Sequence, residues 1–198
     1  NGVDPKVFKP TTQDKKQEFV FHGVMDYQPN IDAASGMAFL LEEYSDKAQL
    51  NLIGRLNRNN KQEVLKLYEQ DKHLNYLGEV DDLSEALGQY QFYLALMKSG
   101  AGLKNKILEA MSCGMVVLVN DRAIEGFSNH PELLEAVYLI KNTKDLKLAT
   151  TDSENWASKG TRAREYVMKN YSWDAYISKL ESIYKNTLSK LKPTLIHI

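Results

Sequence analysis

The chain has 198 residues and a mass of 22.6 kDa, with 43% hydrophobic and 26% charged residues, the mix of a globular protein with material for one substantial core. Its 25 Lys and Arg against 26 Asp and Glu give a net charge of -1, which argues against a dedicated nucleic-acid binder. The single cysteine, Cys113, excludes an intramolecular disulfide framework, and no apolar run approaches the roughly 20 residues that span a bilayer. With no apolar stretch in Asn1–Pro10, the expectation is a soluble, cytoplasmic protein.

Residues 1–16 are polar, hold two of the five prolines and read as a linker. Short apolar runs follow at Glu18–Gly23, Gln49–Gly54, His73–Gly78, Gln91–Met97, Met115–Asn120 and Ala136–Lys141, and each predicts a buried strand. Helical patterns lie between them. Ile31, Ala34, Ala38, Leu41 and Tyr44 repeat at about 3.6 residues; Val64, Leu65 and Tyr68, and then Leu83, Ala86 and Leu87, do so more briefly. Leu103, Ile107, Leu108 and Met111 make a further stripe. Strands alternating with helices predict an α/β domain over residues 17–155, a Rossmann-like parallel sheet of about six strands flanked by helices. Three runs end in glycine, at Gly23, Gly54 and Gly78, where such folds open a ligand crevice.

After Asp152 the pattern is purely helical. Trp173, Tyr176, Ile177, Leu180, Ile183, Tyr184, Leu188 and Leu191 trace an apolar stripe in a helical tail over residues 156–192. From Trp156 to Ile198 there are eight Lys and Arg against three acids. A solvated face accounts for that surplus; the functional alternative is a surface for an acidic partner or an anionic membrane.

The stretch Lys98–Gly114 carries the most chemical information. Gly100 and Gly102 follow a strand run and precede a helix, an arrangement that leaves the first helical N–H groups available to an anion. Lys104 and Lys106 fall in the first helical turn, where the dipole disfavours cations by about 0.3–1 kcal/mol each, unless a phosphate is there. Glu109 comes one turn later among Leu108, Ala110 and Met111. Elsewhere His22, His73, His130 and His197 show no metal-ligand spacing. Asp81 and Asp82 suit a helix cap, Cys113 suits a core position, and Trp156 and Trp173 read as core.

These residues resemble a family. Gly100–Gly114 is similar to the donor-site signature of GT-B glycosyltransferases, the retaining family 4 type in particular. Asn1–Pro10 resembles the phrase joining the two domains of that family, and Phe21–Ala33 the first strand, loop and helix of its C-terminal domain. Leu52–Arg55 and Leu77–Asp82 resemble its second and third strand ends, and Ala123–Phe127 a loop of one subgroup. The resemblance covers roughly residues 1–190.

The resemblance implies one half of a GT-B fold, the half that binds a nucleoside diphosphate sugar. It further implies an N-terminal acceptor domain in the same full-length protein, and a final helix that packs toward it. Glu109 matches the second glutamate of the family's E-x7-E motif, which holds the ribose hydroxyls. The first glutamate would fall at Ala101, so its role passes to the backbone of Gly100–Leu103 or is unfilled. Met25-Asp26-Tyr27 stands where the family commonly has its Arg and Lys. Diphosphate neutralisation then rests on Lys104 and Lys106, as leaving-group stabilisers, and on Arg55. The implied substrate-binding set is Gly23, Arg55, Gly78, Glu79, Gly100, Ala101, Gly102, Leu103, Lys104, Lys106 and Glu109, with no metal and no cofactor beyond the donor co-substrate. The implied activity is sugar transfer to a saccharide or lipid-linked acceptor in polysaccharide or cell-surface glycan synthesis, with peripheral membrane contact open to the full-length enzyme.

Three alternatives stay open on the sequence. A GT-B sugar-nucleotide epimerase shares the architecture. A degenerate domain that binds without reacting is kept alive by Ala101. A receiver or interaction module is disfavoured, because His22-Gly23 and Gly78-Glu79 stand where receivers need acids and a phosphorylatable Asp.

Overall fold

The computed structural model describes residues 2–127 and 131–191. Asn1, 128–130 and 192–198 lie outside the described residues, and with them His130, His197 and Lys192, as do the side chains of Lys190 and Leu191.

The six apolar runs form strands β1 (Lys16–His22), β2 (Leu50–Ile53), β3 (Leu74–Gly78), β4 (Tyr90–Ala95), β5 (Val116–Val119) and β6 (Tyr138–Leu139). Helices α1 (Gln28–Tyr44), α2 (Lys61–Gln70), α3 (Leu83–Gly88), α4 (Asn105–Ser112), α5 (Asp121–Ile124), α6 (Pro131–Ala136) and α7 (Thr143–Thr151) connect or follow them. Two long helices, α8 (Ser153–Tyr171) and α9 (Trp173–Leu191), end the described chain. All strands are parallel, in the order β3-β2-β1-β4-β5-β6. The winding reverses between β1 and β4, the place where doubly wound sheets open a crevice.

Burial explains the composition of the strands. Every residue of β2 and β5 is buried, as expected of parallel strands covered on both faces. Asn51 is tolerated in β2 because its Nδ2 donates to the Phe19 carbonyl at 3.0 Å and its Oδ1 accepts from Asn75 at 2.8 Å. β6 is shorter than its apolar run. Past Ile140, whose amide still donates to the Val119 carbonyl at 2.8 Å, the backbone donors turn to helix capping: Asn142 accepts from the amides of Lys144 and Asp145, and the Lys141 amide donates to Asp145. Asp82 caps α3 by accepting from the Glu85 amide at 2.9 Å.

The opening segment lies against the domain. Val3 is buried and bridges Ser172, and Phe8 packs on the core. Arg164 of α8 holds the segment through the carbonyls of Pro5 and Phe8, both at 3.0 Å, and also donates to Ser112. Trp156 stacks edge-on against Phe92, 5.0 Å between centroids, and donates its indole N–H to Ala149. Trp173 departs from the core reading. It is 49% exposed, and Tyr176, Ile177, Ile183, Tyr184 and Leu188 of the α9 stripe are exposed with it. Among the described residues no helix is long and apolar enough to cross a membrane.

Candidate functional site

A crevice of about 270 Å³ opens beyond the carboxyl ends of β1, β2 and β3. Its walls are the turn after β1 (His22, Gly23, Val24), the turn after β2 (Gly54, Arg55) and the start of the β3–α3 connection (Glu79, Val80). The floor is main chain against main chain. The Gly23 amide donates to the Ile53 carbonyl at 3.0 Å, and the Gly54 amide to the Gly78 carbonyl at 2.8 Å. A Cβ at position 54 would lie 1.8 Å from the Gly23 carbonyl oxygen, on a backbone with φ of +137°, so only glycine fits there.

The loop from β1 to α1 is pinned to its neighbours by the residues that replace the expected basic pair. The Met25 carbonyl accepts from the Tyr68 hydroxyl at 2.6 Å, and the Met25 amide donates to the Arg55 carbonyl at 2.9 Å. Asp26 is buried and accepts from the Arg58 amide. Burial of the Tyr68 hydroxyl, with Asp26 close by, pushes its ionisation far above the ordinary tyrosine range.

Helix α4 brings the charged groups. Glu109 receives a 2.7 Å hydrogen bond from His22 Nε2 at the end of β1. A carboxylate only accepts, so Nε2 carries the hydrogen. The His22 ring is fully enclosed, its Nδ1 finds no partner among the described residues, and burial holds its pKa below the ordinary value against the pull of Glu109. Lys106 reaches the same strand end. Its ammonium donates to Asn30 Oδ1 at 2.5 Å and lies 4.4 Å from the Phe21 ring centroid. Burial lowers its pKa to about 8, opposed by Glu109 and assisted by Lys104.

Lys104 faces elsewhere. As the N-cap of α4 it is buried, its ammonium donates to the Gly102 carbonyl at 3.0 Å, and its pKa is lowered by burial while Glu125 works against the shift. The glycine-rich loop is braced from the other side. A Cβ at Gly126 would meet Gly102 C and Leu103 N, each at 2.2 Å, so the Gly126 backbone packs directly on that peptide. Among the described residues no group of His, Cys, Asp and Glu has the makings of a metal site.

The sequence model of the family described as glycosyl transferases group 1 matches residues 16–162. The chain belongs to that family. No curated protein matches the sequence. Among solved structures, a glycosyltransferase from Rickettsia africae superposes with a TM-score of 0.71 at 14% identity, over 94% of this chain and 56% of that one. HepE from Anabaena, solved with UDP, gives 0.66 at 17% identity, over 96% and 56%. The C-terminal domain of a group 1 glycosyl transferase from Francisella tularensis gives 0.59 at 19% identity, over 87% of this chain and 100% of that domain. The group 1 domain thus has the fold of one Rossmann-like GT-B half, and it spans about half the length of the Rickettsia and Anabaena proteins.

In this group 1 domain the residues singled out in the sequence fall into three places. Gly23, Arg55 and Glu79 border the crevice, and Gly78 closes its floor through its carbonyl. Lys106 and Glu109 meet the end of β1. Gly100, Ala101, Gly102, Leu103 and Lys104 form a separate arm, exposed at Ala101 and Gly102, that leans on Gly126. Asn30 was not legible as a site residue, although a signal existed. It is a polar residue on the helix face that Ala34, Met37 and Leu41 bury, in the first turn of α1.

Proposed function

We propose that this chain is the donor-binding half of a glycosyltransferase that moves a sugar from a nucleoside diphosphate sugar to a saccharide or lipid-linked acceptor. The observation that carries the reading is the meeting of Glu109 and Lys106 at the end of β1, beside a crevice floored by backbone. Family membership supports sugar transfer as the chemistry, and the nucleotide class is supported by HepE, solved with UDP.

The roles follow from charge. Glu109 uses Oε2 toward His22, which leaves Oε1 to accept from a ribose hydroxyl. Lys106 and the amides of the Gly100–Leu103 loop meet the diphosphate, with Lys104 and Arg55 contributing long-range field. The base occupies the crevice between Arg55 and Val80. As the glycosidic bond breaks, negative charge grows on the departing diphosphate, and a cation already in place lowers that barrier without reorganising. In this reading the transfer retains anomeric configuration and uses no metal. An N-terminal domain of the same cytoplasmic protein holds the acceptor, and the product is a polysaccharide or cell-surface glycan.

Calorimetric titration with UDP, GDP and ADP, each beside its nucleoside, tests the reading. At least one diphosphate should bind more tightly than its nucleoside. No binding by any of the three overturns it. A domain that binds the nucleotide without reacting is the second reading, favoured by Ala101 in place of the family's first glutamate. Transfer assays on the full-length protein separate the two.

A further inference from the structure

Asn30 is a buried amide with both ends in use. It is 4% exposed and lies in the first turn of α1. Its Nδ2 donates to the Val24 carbonyl at 2.8 Å, which orients the amide so that Oδ1 points at Lys106 Nζ, 2.5 Å away. The second neighbour of that ammonium is the face of Phe21. An amide oxygen and an aromatic face hold a cation without cancelling its charge. Among the described residues no carboxylate forms an ion pair with Lys106; Glu109, on the same helix, bonds to neutral His22, keeps its charge and acts on the ammonium only at longer range.

Gly23 leaves the approach open. A Cβ at position 23 would lie 3.1 Å from Lys106 Nζ and 2.8 Å from Asn30 Nδ2, and Gly23 itself borders the crevice. The cation therefore sits under the rim, held in place with no carboxylate in contact with it among the described residues. A buried charge in that state is costly to the empty protein and is relieved when an anion arrives.

We propose that Asn30 is a positioning residue that holds the Lys106 ammonium beneath Gly23 with a neutral contact in place of a carboxylate, so that the diphosphate of a nucleoside diphosphate becomes its contacting counter-ion. This rests on the donor-site reading above. The amide is essential to the role: a carboxylate at position 30 would orient Lys106 equally well but would neutralise it before the ligand arrives. Burial depresses Lys106 to about 8, with Glu109 opposing, Lys104 reinforcing, and neutral His22 the remaining titratable group beside it. Protonation and diphosphate binding are then linked. Above that pH, affinity should fall by about tenfold per pH unit. A terminal phosphate loses its last proton near about pH 6, outside this window.

The test is calorimetric titration of the 198-residue chain with whichever of UDP, GDP and ADP binds tightest and with its nucleoside, from about pH 7 to about pH 9.5, bracketing the Lys106 transition. The wild type should prefer the diphosphate and lose that preference through a break near pH 8. Asn30→Asp should reduce diphosphate affinity by about tenfold or more, spare the nucleoside, and move the break upward, because a carboxylate favours the charged lysine. Lys106→Arg should keep the preference and flatten the profile, since a guanidinium does not titrate there. A purely structural Asn30 would instead make both ligands weaker in Asn30→Asp and leave the break in place; that result overturns the proposal while the donor site stands. A break that persists near pH 8 in Lys106→Arg also overturns it, and serves if Asn30→Asp does not fold. If the wild type binds no diphosphate more tightly than its nucleoside, the donor-site reading falls and this role with it.

Discussion

Glu109 of α4 and His22 at the end of β1 are 87 residues apart in sequence and joined by a 2.7 Å hydrogen bond. The bond crosses the switch point of the sheet, so it ties the helix after β4 to the strand next to it. It also fixes one carboxylate oxygen and leaves the other directed by default. Glu109→Gln keeps an acceptor for His22 and should keep the fold. If Glu109 holds the ribose as proposed, nucleoside and nucleoside diphosphate should both bind more weakly by about 1–3 kcal/mol, since the sugar hydroxyl is shared by both. Calorimetry on the pair of ligands checks this; loss confined to the diphosphate would move Glu109 away from the ribose.

The two lysines of the loop should separate by the same measurement. Lys106→Ala is expected to cost about 1.5–3 kcal/mol of diphosphate affinity while the nucleoside binds unchanged, the scale of a hydrogen bond to a charged group. Lys104 spends its ammonium on the Gly102 carbonyl. Lys104→Ala should therefore act through loop order, with a smaller loss of diphosphate affinity and a measurable drop in unfolding midpoint. Equal effects at both positions would contradict this division.

His22 gives stability a pH dependence of definite sign. Its folded pKa lies below the unfolded value of about 6.5, so below that pH the unfolded chain takes up a proton the native ring refuses. Stability should be level above about pH 7 and fall as pH drops from about 6.5 toward the lower folded value. His22→Gln should remove that part of the slope. Thermal unfolding in closely spaced buffers from about pH 7 to about pH 5 reads it directly, ahead of most carboxylate titrations.

Much of the architecture is written in short-range pattern. Val116–Val119 and, apart from Asn51, Leu50–Ile53 are apolar and β-branched or leucine-rich because both sheet faces are covered, and that signal needs no partner to be read. Gly23, Gly54 and Gly78 likewise mark the strand ends. The site was less legible for a geometric reason. Lys104 is the extended N-cap and Lys106 lies inside the first turn, so the two side chains leave in different directions, and only the positions of Asn30, Phe21 and Gly102 decide which one reaches β1. The Glu109–His22 pairing is set by the β1–β4 contact, which no local periodicity reports. Trp173 read as core because an apolar stripe has the same period whether or not something covers it.

Gly126 should prove as sensitive as the loop it braces. Gly126→Ala places a methyl group into the Gly102–Leu103 peptide, where neither side is a flexible side chain. The expected result is a loss of about 1–3 kcal/mol in stability together with weaker diphosphate binding. Denaturant unfolding and titration on one preparation test both. An unchanged diphosphate affinity would detach the loop from the ligand.

The glycine contact at Gly54 sets a limit on how this crevice can diversify. Where strand ends meet as bare backbone, no side chain at the floor exists to be exchanged, and any added carbon at Gly54 collides with the Gly23 carbonyl. Variation in what the crevice accepts is thereby channelled to its rim, at Arg55, Glu79, Val80 and Leu83. A library built to alter nucleotide preference should randomise those four positions and leave the glycines fixed. The constancy of the floor makes the rim an alphabet that can be rewritten without redrawing the page beneath it.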